Sequence, residues 1–438
     1  MDAIKQPLKY YFLWFWIFFL TSSVILSPRL SENGLLKFIR IDDILFPITL
    51  ITIFVFISGI HPIKKVILAF VYLYVFNLIV LIITHYSGLN SVSILEKVLP
   101  LVKNFQYLIY FGLCFVLGSK SKNFIRYQRV FISIYICFIP NFLHGLYQTV
   151  TLNFTGYYGL GILNEISPAL TGAVFYFATI ICSTIIYLMP KINLKAIYLW
   201  ICFSAINAIF TALSGSRSAW LALFSYLLVV GIYTFKNIIS SNKINKRNIN
   251  ITLTIVTSIL LFFLILLLFR DFGLKLESLL TQVPSRYLNI NLGQVQDEAR
   301  VVNWSSVLSM YLEFVHQFPL LGLFGLGSGG IYEIFGQLLN AADSQLVYTI
   351  VSGGLIGTLL YLNALFKLYM FAKKYTSKSN IKLTPIFVGL FWSFMVFSVS
   401  QEVFNLSKTG GLFWISCGLI LGIAYSDFNL KNQIANDI

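Results

Sequence analysis

Long apolar runs separated by short polar breaks recur along the whole chain. Stretches such as LITIFVFISGI (50–60) and IVTSILLFFLILLLF (255–269) are apolar at consecutive positions. A half-buried strand would alternate instead. A run of roughly 20 apolar residues is long enough to cross a bilayer as a helix. Lipid cannot hydrogen-bond the backbone, so only helices or a closed barrel can span it, and the continuity of these runs selects helices. The pattern predicts about twelve spans, at 10–27, 43–60, 66–84, 99–118, 129–150, 168–189, 196–213, 218–235, 250–269, 344–370, 384–404 and 411–426. The expected fold is a single all-α polytopic transmembrane domain covering 1–438.

Most connections are short. The exception is 271–343, which is far more polar and joins spans 9 and 10. A connection of that length in a compact protein usually carries function. Within it, QDEARVVNWSSVLSMYLEFVHQFP (296–319) predicts an amphipathic helix, with Val301, Trp304, Leu308, Tyr311 and Val315 on one face and Pro319 ending it. Asp297 and Glu298 in its first turn favour a helix start.

Composition agrees with a membrane protein: of 438 residues, 58% are hydrophobic, 17% aromatic and 11% charged. The net charge of +15 is mostly topology. Lys5, Lys9, Lys64, Lys65, Lys120, Lys122, Arg126, Arg129 and the basic residues of 191–195, 236–247 and 373–382 fall before span 1 or after even-numbered spans. Because Lys and Arg are retained on the cytoplasmic side, both termini are expected inside. Nearly all acids, from Glu32 through Asp271, Glu298, Glu333 and Asp343 to Glu402, fall on the other side. The basic loops suit anionic lipid headgroups, and nothing in the charge calls for nucleic acid.

Lys5 and Lys9 followed by an apolar stretch and TSSVILS imitate a signal peptide, but eleven further spans favour an uncleaved first helix. The five cysteines (Cys114, Cys137, Cys182, Cys202, Cys417) lie inside apolar spans at no shared spacing and read as small core residues, with no disulfide framework or metal site. There is no Walker lysine loop, no HExxH and no paired CxxC, so no cofactor is expected. The glycine-rich GLFGLGSGG (322–330) follows no strand and carries no lysine. It reads as a tight turn closing the outer loop.

The candidate chemistry gathers on the outer side. Arg217 opens span 8 within GSRSAWLALF, at a helix N-terminus where free N–H groups and partial positive charge already favour an anion. Its small neighbours leave room beside the guanidinium, and a cation, a positive helix end and open space together suit a phosphate. Snorkelling to lipid phosphates or pairing with an acid is the structural alternative. In the outer loop, Arg300 precedes Trp304 by four residues, which allows stacking or pairing with Asp297 or Glu298, and Arg286 lies upstream in VPSRY. Three carboxylates sit at the expected membrane surface: Glu165 before span 6, Asp343 before span 10 and Glu402 at the end of span 11. Burial there would raise a carboxyl pKa toward the range useful for proton transfer. Glu165 and Asp343 equally fit helix starts.

GSRSAWLALF, the outer loop with R-x3-W and HQFPLLGLFGLGSGGIY, and ADSQLVYTIVSGGLIGTLLYL resemble, in this order, the O-antigen polymerase and O-antigen ligase superfamily. Gly354–Gly357 supplies the glycine pattern of the last motif. GLGILNEISPAL, with Asn164–Glu165, and IRIDDILF (39–46) look like the family's loop before a middle span and its opening of span 2. The similarity runs from about residue 39 to 365. Ligases of the superfamily typically carry His-Asn where this chain has Asp343–Ser344, so the departure leans toward a polymerase; His316 is no substitute at that position.

The resemblance implies a GT-C-like architecture in a bacterial inner membrane and an active periplasmic face. It also implies a glycan on undecaprenyl pyrophosphate as substrate and a chain-length regulator protein as a partner. Arg217 and Arg300, with Arg286 in support, would hold the pyrophosphate, and Asp343 or Glu165 would take the proton of the attacking sugar hydroxyl. The alternatives are a ligase acting on lipid A core, a flippase of lipid-linked sugar, although a flippase would place charges along a cavity within the spans, and a structural partner of a chain-length regulator, which would not need the Arg217 setting.

Overall fold

A computed structural model describes residues 2–26, 40–87, 94–121, 126–151, 153–155, 160–163, 167–189, 194–240, 299–328, 344–379, 381, 383–399, 401 and 407–436. Among these residues regular structure is helical. The helices are α1 (Asp2–Leu26), α2 (Ile41–Ile44), α3 (Phe46–Ile60), α4 (Lys64–Tyr86), α5 (Ile94–Lys120), α6 (Tyr127–Ile136), α7 (Ile139–Thr151) and α8 (Pro168–Leu188). They continue as α9 (Leu194–Leu213), α10 (Arg217–Ser240), α11 (Ala299–Gln317), α12 (Leu320–Phe324), α13 (Gln345–Lys378), α14 (Thr384–Val399) and α15 (Ser407–Asn436).

Among the described residues, 8 helices are long and apolar enough to cross a membrane, or 9 if the pair α6–α7, bent by 49°, is one span. Helices occupy every expected segment except 250–269, which lies outside the described residues. Three expected spans differ in kind: 43–60 is met by α3, a helix of 15 residues and shorter than a full span. The segment 129–150 is not one straight helix, and 384–404 is described as helix over Thr384–Val399, with 400 and 402–404 outside the described residues. Large apolar side chains such as Ile51, Phe54, Leu228, Ile232, Leu359 and Phe366 remain exposed along the helices. A soluble protein avoids so large an apolar surface, and a lipid-facing one requires it. The chain is an all-α polytopic membrane protein.

Contacts fix the directions of the helices. Gly411 faces Val24 and Tyr107, Gly418 faces Phe111 and Cys114, and Gly422 meets the Phe115 carbonyl, so α5 and α15 run parallel, and α1 ends where α15 begins. A Cβ on Gly118 would fall 2.6 Å from the Leu419 carbonyl oxygen. Small residues at such a seam let two backbones approach closely, which is how helices associate in lipid. Gly172 packs on Ser216 and Ala219 while Tyr187 bonds Thr234 at 3.1 Å, so α8 and α10 also run parallel. Tyr176 bonds Ser393, and Gly389 packs on Tyr226 and Val230, which sets α14 antiparallel to both. The Gln345 amide donates to the Gln401 carbonyl at 3.1 Å, so α13 starts where α14 ends.

Gly59 packs on Val116, Gly145 on Phe210, Tyr74 on Phe105 and Phe70 on Trp414, so α3, α5, α8, α10, α13 and α15 all begin at one end of the bundle, and α1, α4, α7, α9 and α14 finish there. We call this the polar end. The main core fills the space below it, with Trp414 edge-on to Phe70 and Phe111 at its centre. A second, smaller core joins α11, α12 and the first turns of α13 through Val307, Tyr311, Leu321, Leu326, Val347 and Val351. The expected amphipathic face of α11 is the one used: Tyr311 is buried in this core, and Trp304, Leu308 and Val315 pack against it.

Candidate functional site

Three structures meet at the polar end. The first is the turn between α9 and α10. Gly215, with φ 72°, supplies the left-handed residue that reverses the chain, and Ser216 caps α10 by accepting from the Ala219 amide at 3.3 Å. Arg217 follows as the first helical residue and is half-buried. The small residues around it pack against α8. Ser214, Ser216, Ser218 and Ala219 are buried, and a Cβ on Gly172 of α8 would fall 2.6 Å from the Ala219 Cβ and 2.8 Å from the Ser214 Oγ. Their smallness lets α8 close on the turn that Arg217 follows.

The neighbouring loop is tied to the same turn. The Leu160 amide donates to the Leu213 carbonyl at 3.0 Å. Gln148 of α7 accepts from the Gly161 amide at 3.1 Å and donates to the Gly161 carbonyl at 2.9 Å, and Asn141 accepts from Leu163 at 3.0 Å. Residues 160–163 are thereby tied to α7 and to the last turn of α9.

The second structure was not foreseen. Arg40, Asp42, Lys97, Lys103 and Lys408 are all buried, with Lys97 and Lys408 at 0% exposure. They stand at the starts of α2, α5 and α15, which share the polar end. Lys103 pairs with Asp43 at 3.4 Å (Nζ to Oδ2), and the same oxygen accepts from the Arg40 amide at 2.9 Å, closing the first turn of α2. Gln106 Nε2 donates to the Asp42 carbonyl at 2.9 Å and locks that turn onto α5. Burial, then the charge of Asp43, pushes the Asp42 carboxyl up to about 6, against the opposing pull of Lys103 and Arg40. Charged side chains buried where membrane spans begin are costly and mark function more often than scaffold. The signal was present in the sequence: these cations break the rule that assigns Lys and Arg to the opposite end.

The third structure is a broken helix. At Gly354, α13 adopts φ 57° and ψ −155°, so its helical ladder is interrupted. Val351 and Ser352 accept instead from the amides of Leu326 and Gly327, each at 2.9 Å, and Thr84 of α4 donates to the Leu326 carbonyl at 3.0 Å. Of the glycine-rich stretch, 322–324 belong to α12, 329–330 lie outside the described residues, and the irregular segment 325–328 docks its backbone into α13. Irregular backbone at this depth is tolerated only where protein satisfies it.

Of the residues singled out from the sequence, the structure places Arg217 as described. Arg300 lies in the first turn of α11, a helix packed on α12 and α13, and its side chain is outside the described residues. Asp343, Glu165, Arg286 and Glu402 also lie outside the described residues. The residue after Asp343 is described: Ser344 caps α13 by accepting from the Val347 amide at 3.4 Å. The cysteines are free, with Cys202 exposed and the other four buried. Among the described residues no group of His, Cys, Asp and Glu is arranged to hold a metal ion.

No protein-family model matches the chain, and no curated protein matches it. The functional reading therefore rests on the polar end itself.

Proposed function

We propose that the chain is an O-antigen polymerase, a membrane glycosyltransferase. It would move a growing glycan from undecaprenyl pyrophosphate to a new lipid-linked repeat unit. The observation that carries this reading is the gathering of buried cations and carboxylates at one end of an otherwise apolar bundle. Arg40, Lys97, Lys103 and Lys408 lie there with Asp42 and Asp43, and Arg217 opens α10 at the same end. The resemblance of the motifs around Arg217 and Gly354 adds the substrate class. The arrangement proposed is twelve spans of GT-C-like type in the inner membrane, with both termini cytoplasmic and the polar end periplasmic.

The chemistry follows from the charges. The bond between sugar C1 and the pyrophosphate oxygen breaks as an acceptor hydroxyl bonds to C1. The pyrophosphate leaves with growing negative charge, and cations already fixed in a partly dry site stabilise it without reorganisation. Arg217 and Arg300, with Arg286, are the proposed pyrophosphate ligands, and the buried lysines extend that set. A carboxylate, Asp343 or Glu165, receives the hydroxyl proton. The energy of transfer is stored in the glycosyl pyrophosphate, so no nucleotide is needed.

Deletion of the gene in its host, with lipopolysaccharide resolved on a gel, tests the reading. Core carrying a single repeat unit is the expected product. Bare core would reject polymerisation in favour of ligation or flipping.

A further inference from the structure

The end of α11, α12 and the segment 325–328 sit within the length of the bundle, not above it. Phe324 stacks on Phe76 of α4, with ring centroids 6.4 Å apart. A Cβ on Gly354 of α13 would fall 2.7 Å from the Leu323 carbonyl oxygen. Tyr311 donates to the Leu321 carbonyl at 2.7 Å, and a Cβ on Gly322 would meet the Val315 Cγ1 at 3.0 Å, so α11 ends at the same depth. Helix rise turns these contacts into a distance. Gly354 is nine residues from Gln345, which opens α13, and Phe76 is ten residues from Tyr86, which closes α4. At 1.5 Å per residue, both put α12 about 14 Å from the helix ends. From the opposite side, Phe76 is twelve residues, or about 18 Å, from Lys64, whose charge marks the other edge of the bilayer. A hydrocarbon core about 30 Å thick therefore has α12 roughly 12 Å inside its nearer edge. The chain then returns: Leu326 bonds Thr84 and Gly327 packs on Leu81, both nearer the polar end than Phe76.

The two flanks of this segment differ. α12 and the turn before it leave Phe318, Leu320, Leu323 and Phe324 exposed, Leu320 at 68%. Beside them α4 exposes Ile79 and Ile83, three and seven residues on from Phe76 and so on its side of the helix. α13 exposes Leu355 and Leu359 just past the break. Those are lipid-facing positions of spanning helices, and the α12 surface continues them. α11 instead turns Ser309, Glu313 and Gln317 outward, four residues apart and so in one stripe, with His316 next to it. A carboxylate is costly in hydrocarbon, so this flank meets water.

We propose that α11, α12 and 325–328 form a re-entrant hairpin seated in the leaflet at the polar end. Leu320, Leu323 and Phe324 contact the hydrocarbon chains of that leaflet, and the stripe from Ser309 to Gln317 lines a water-filled recess beside them. The hairpin is then a wall with lipid on one side and water on the other. Such a wall lets the polar head of an amphiphilic lipid enter the recess while its tail stays in the bilayer. The placement of the hairpin does not depend on the glycosyltransferase reading.

The test uses full-length protein carrying Cys202→Ser, in liposomes, with Leu320→Cys, Leu323→Cys, Glu313→Cys or Leu359→Cys added singly and a nitroxide attached to the new thiol. All four positions are exposed, and two lie in α12, so one label that disturbs the turn does not decide the result. Power-saturation spin resonance then compares collision with oxygen, which concentrates in hydrocarbon, and with a water-soluble nickel chelate. The expected result is that oxygen exceeds nickel at Leu320→Cys and Leu323→Cys, as at the lipid-facing Leu359→Cys, and that the order inverts at Glu313→Cys. Nickel exceeding oxygen at both α12 positions would overturn the proposal, because the hairpin would then stand in water outside the bilayer. Exclusion of both reagents from α12 would also overturn it, since protein and not lipid would cover the patch. Oxygen exceeding nickel at Glu313→Cys, or neither reagent reaching it, would overturn the water-filled recess.

Discussion

Replacing Gly354 with alanine should unlock the polar end. The native φ of 57° and ψ of −155° lie where an L side chain is strained, at about 1–3 kcal/mol. A Cβ there would also fall 2.5 Å from the Gly325 nitrogen and 2.7 Å from the Leu323 carbonyl. Those atoms are backbone and cannot rotate away, and overpacking of this kind costs about 1–3 kcal/mol more. The expected loss is about 2–6 kcal/mol by adding the two effects, more than a tenfold fall in the folded-to-unfolded ratio. Equilibrium unfolding in mixed micelles, followed by tryptophan fluorescence as the fraction of SDS rises, measures it. Gly231 in α10 is the control, because a Cβ there meets nothing within 4 Å. Gly231→Ala should be stabilising by about 0.5–1 kcal/mol through helix propensity. If Gly354→Ala unfolds at the wild-type SDS fraction, the docking of 325–328 into the broken helix is refuted.

The Asp43–Lys103 pair should behave as a buried pair: Asp43→Asn or Lys103→Met alone should cost up to about 3–5 kcal/mol, and the double variant clearly less than the sum, in the same unfolding assay. Additive losses would mean that the two groups do not interact. The folded protein holds the Asp42 proton more tightly than the unfolded chain does, because the carboxyl is raised to about 6. Its stabilising contribution is therefore full below pH 4 and lost as pH rises through about 6, on the order of 2 kcal/mol. Asp42→Asn should flatten the stability profile between pH 4.5 and 7 by about that amount, and an unchanged slope would contradict the buried setting. Arg217→Ala should abolish chain growth while the protein stays in the membrane, and normal long chains on a lipopolysaccharide gel would remove the pyrophosphate role. Asp343→Asn tests the base separately, since full activity would move that role to Glu165.

Helices were the most legible part of the chain, because a membrane span must be apolar for its whole length and nothing else in the sequence looks like it. The amphipathic face of α11 was legible for a related reason: Trp304, Leu308, Tyr311 and Val315 repeat at helical spacing and meet one surface. The break in α13 was not. VSGGLIG reads as ordinary small-residue helix, and only the partner segment 325–328, distant in sequence, makes the Gly354 conformation worthwhile. Small residues near Arg217 read as neighbours of the guanidinium in one dimension, but they also form a seam with Gly172 of another helix, which the local sequence does not show. The buried lysines were missed for a different reason. A charge count finds orientation from the cations that obey the rule, whereas Lys97, Lys103 and Lys408 matter because they disobey it.

Reconstitution is the most direct measurement of the proposed function. The purified protein would be placed in liposomes with lipid-linked repeat units as the sole substrate, and the products resolved by gel and mass spectrometry. A ladder of longer lipid-linked glycans is expected, with one undecaprenyl pyrophosphate released per new linkage. Repeat units that cross the bilayer without lengthening, or sugar transfer that begins only when lipid A core is added, would contradict a polymerase.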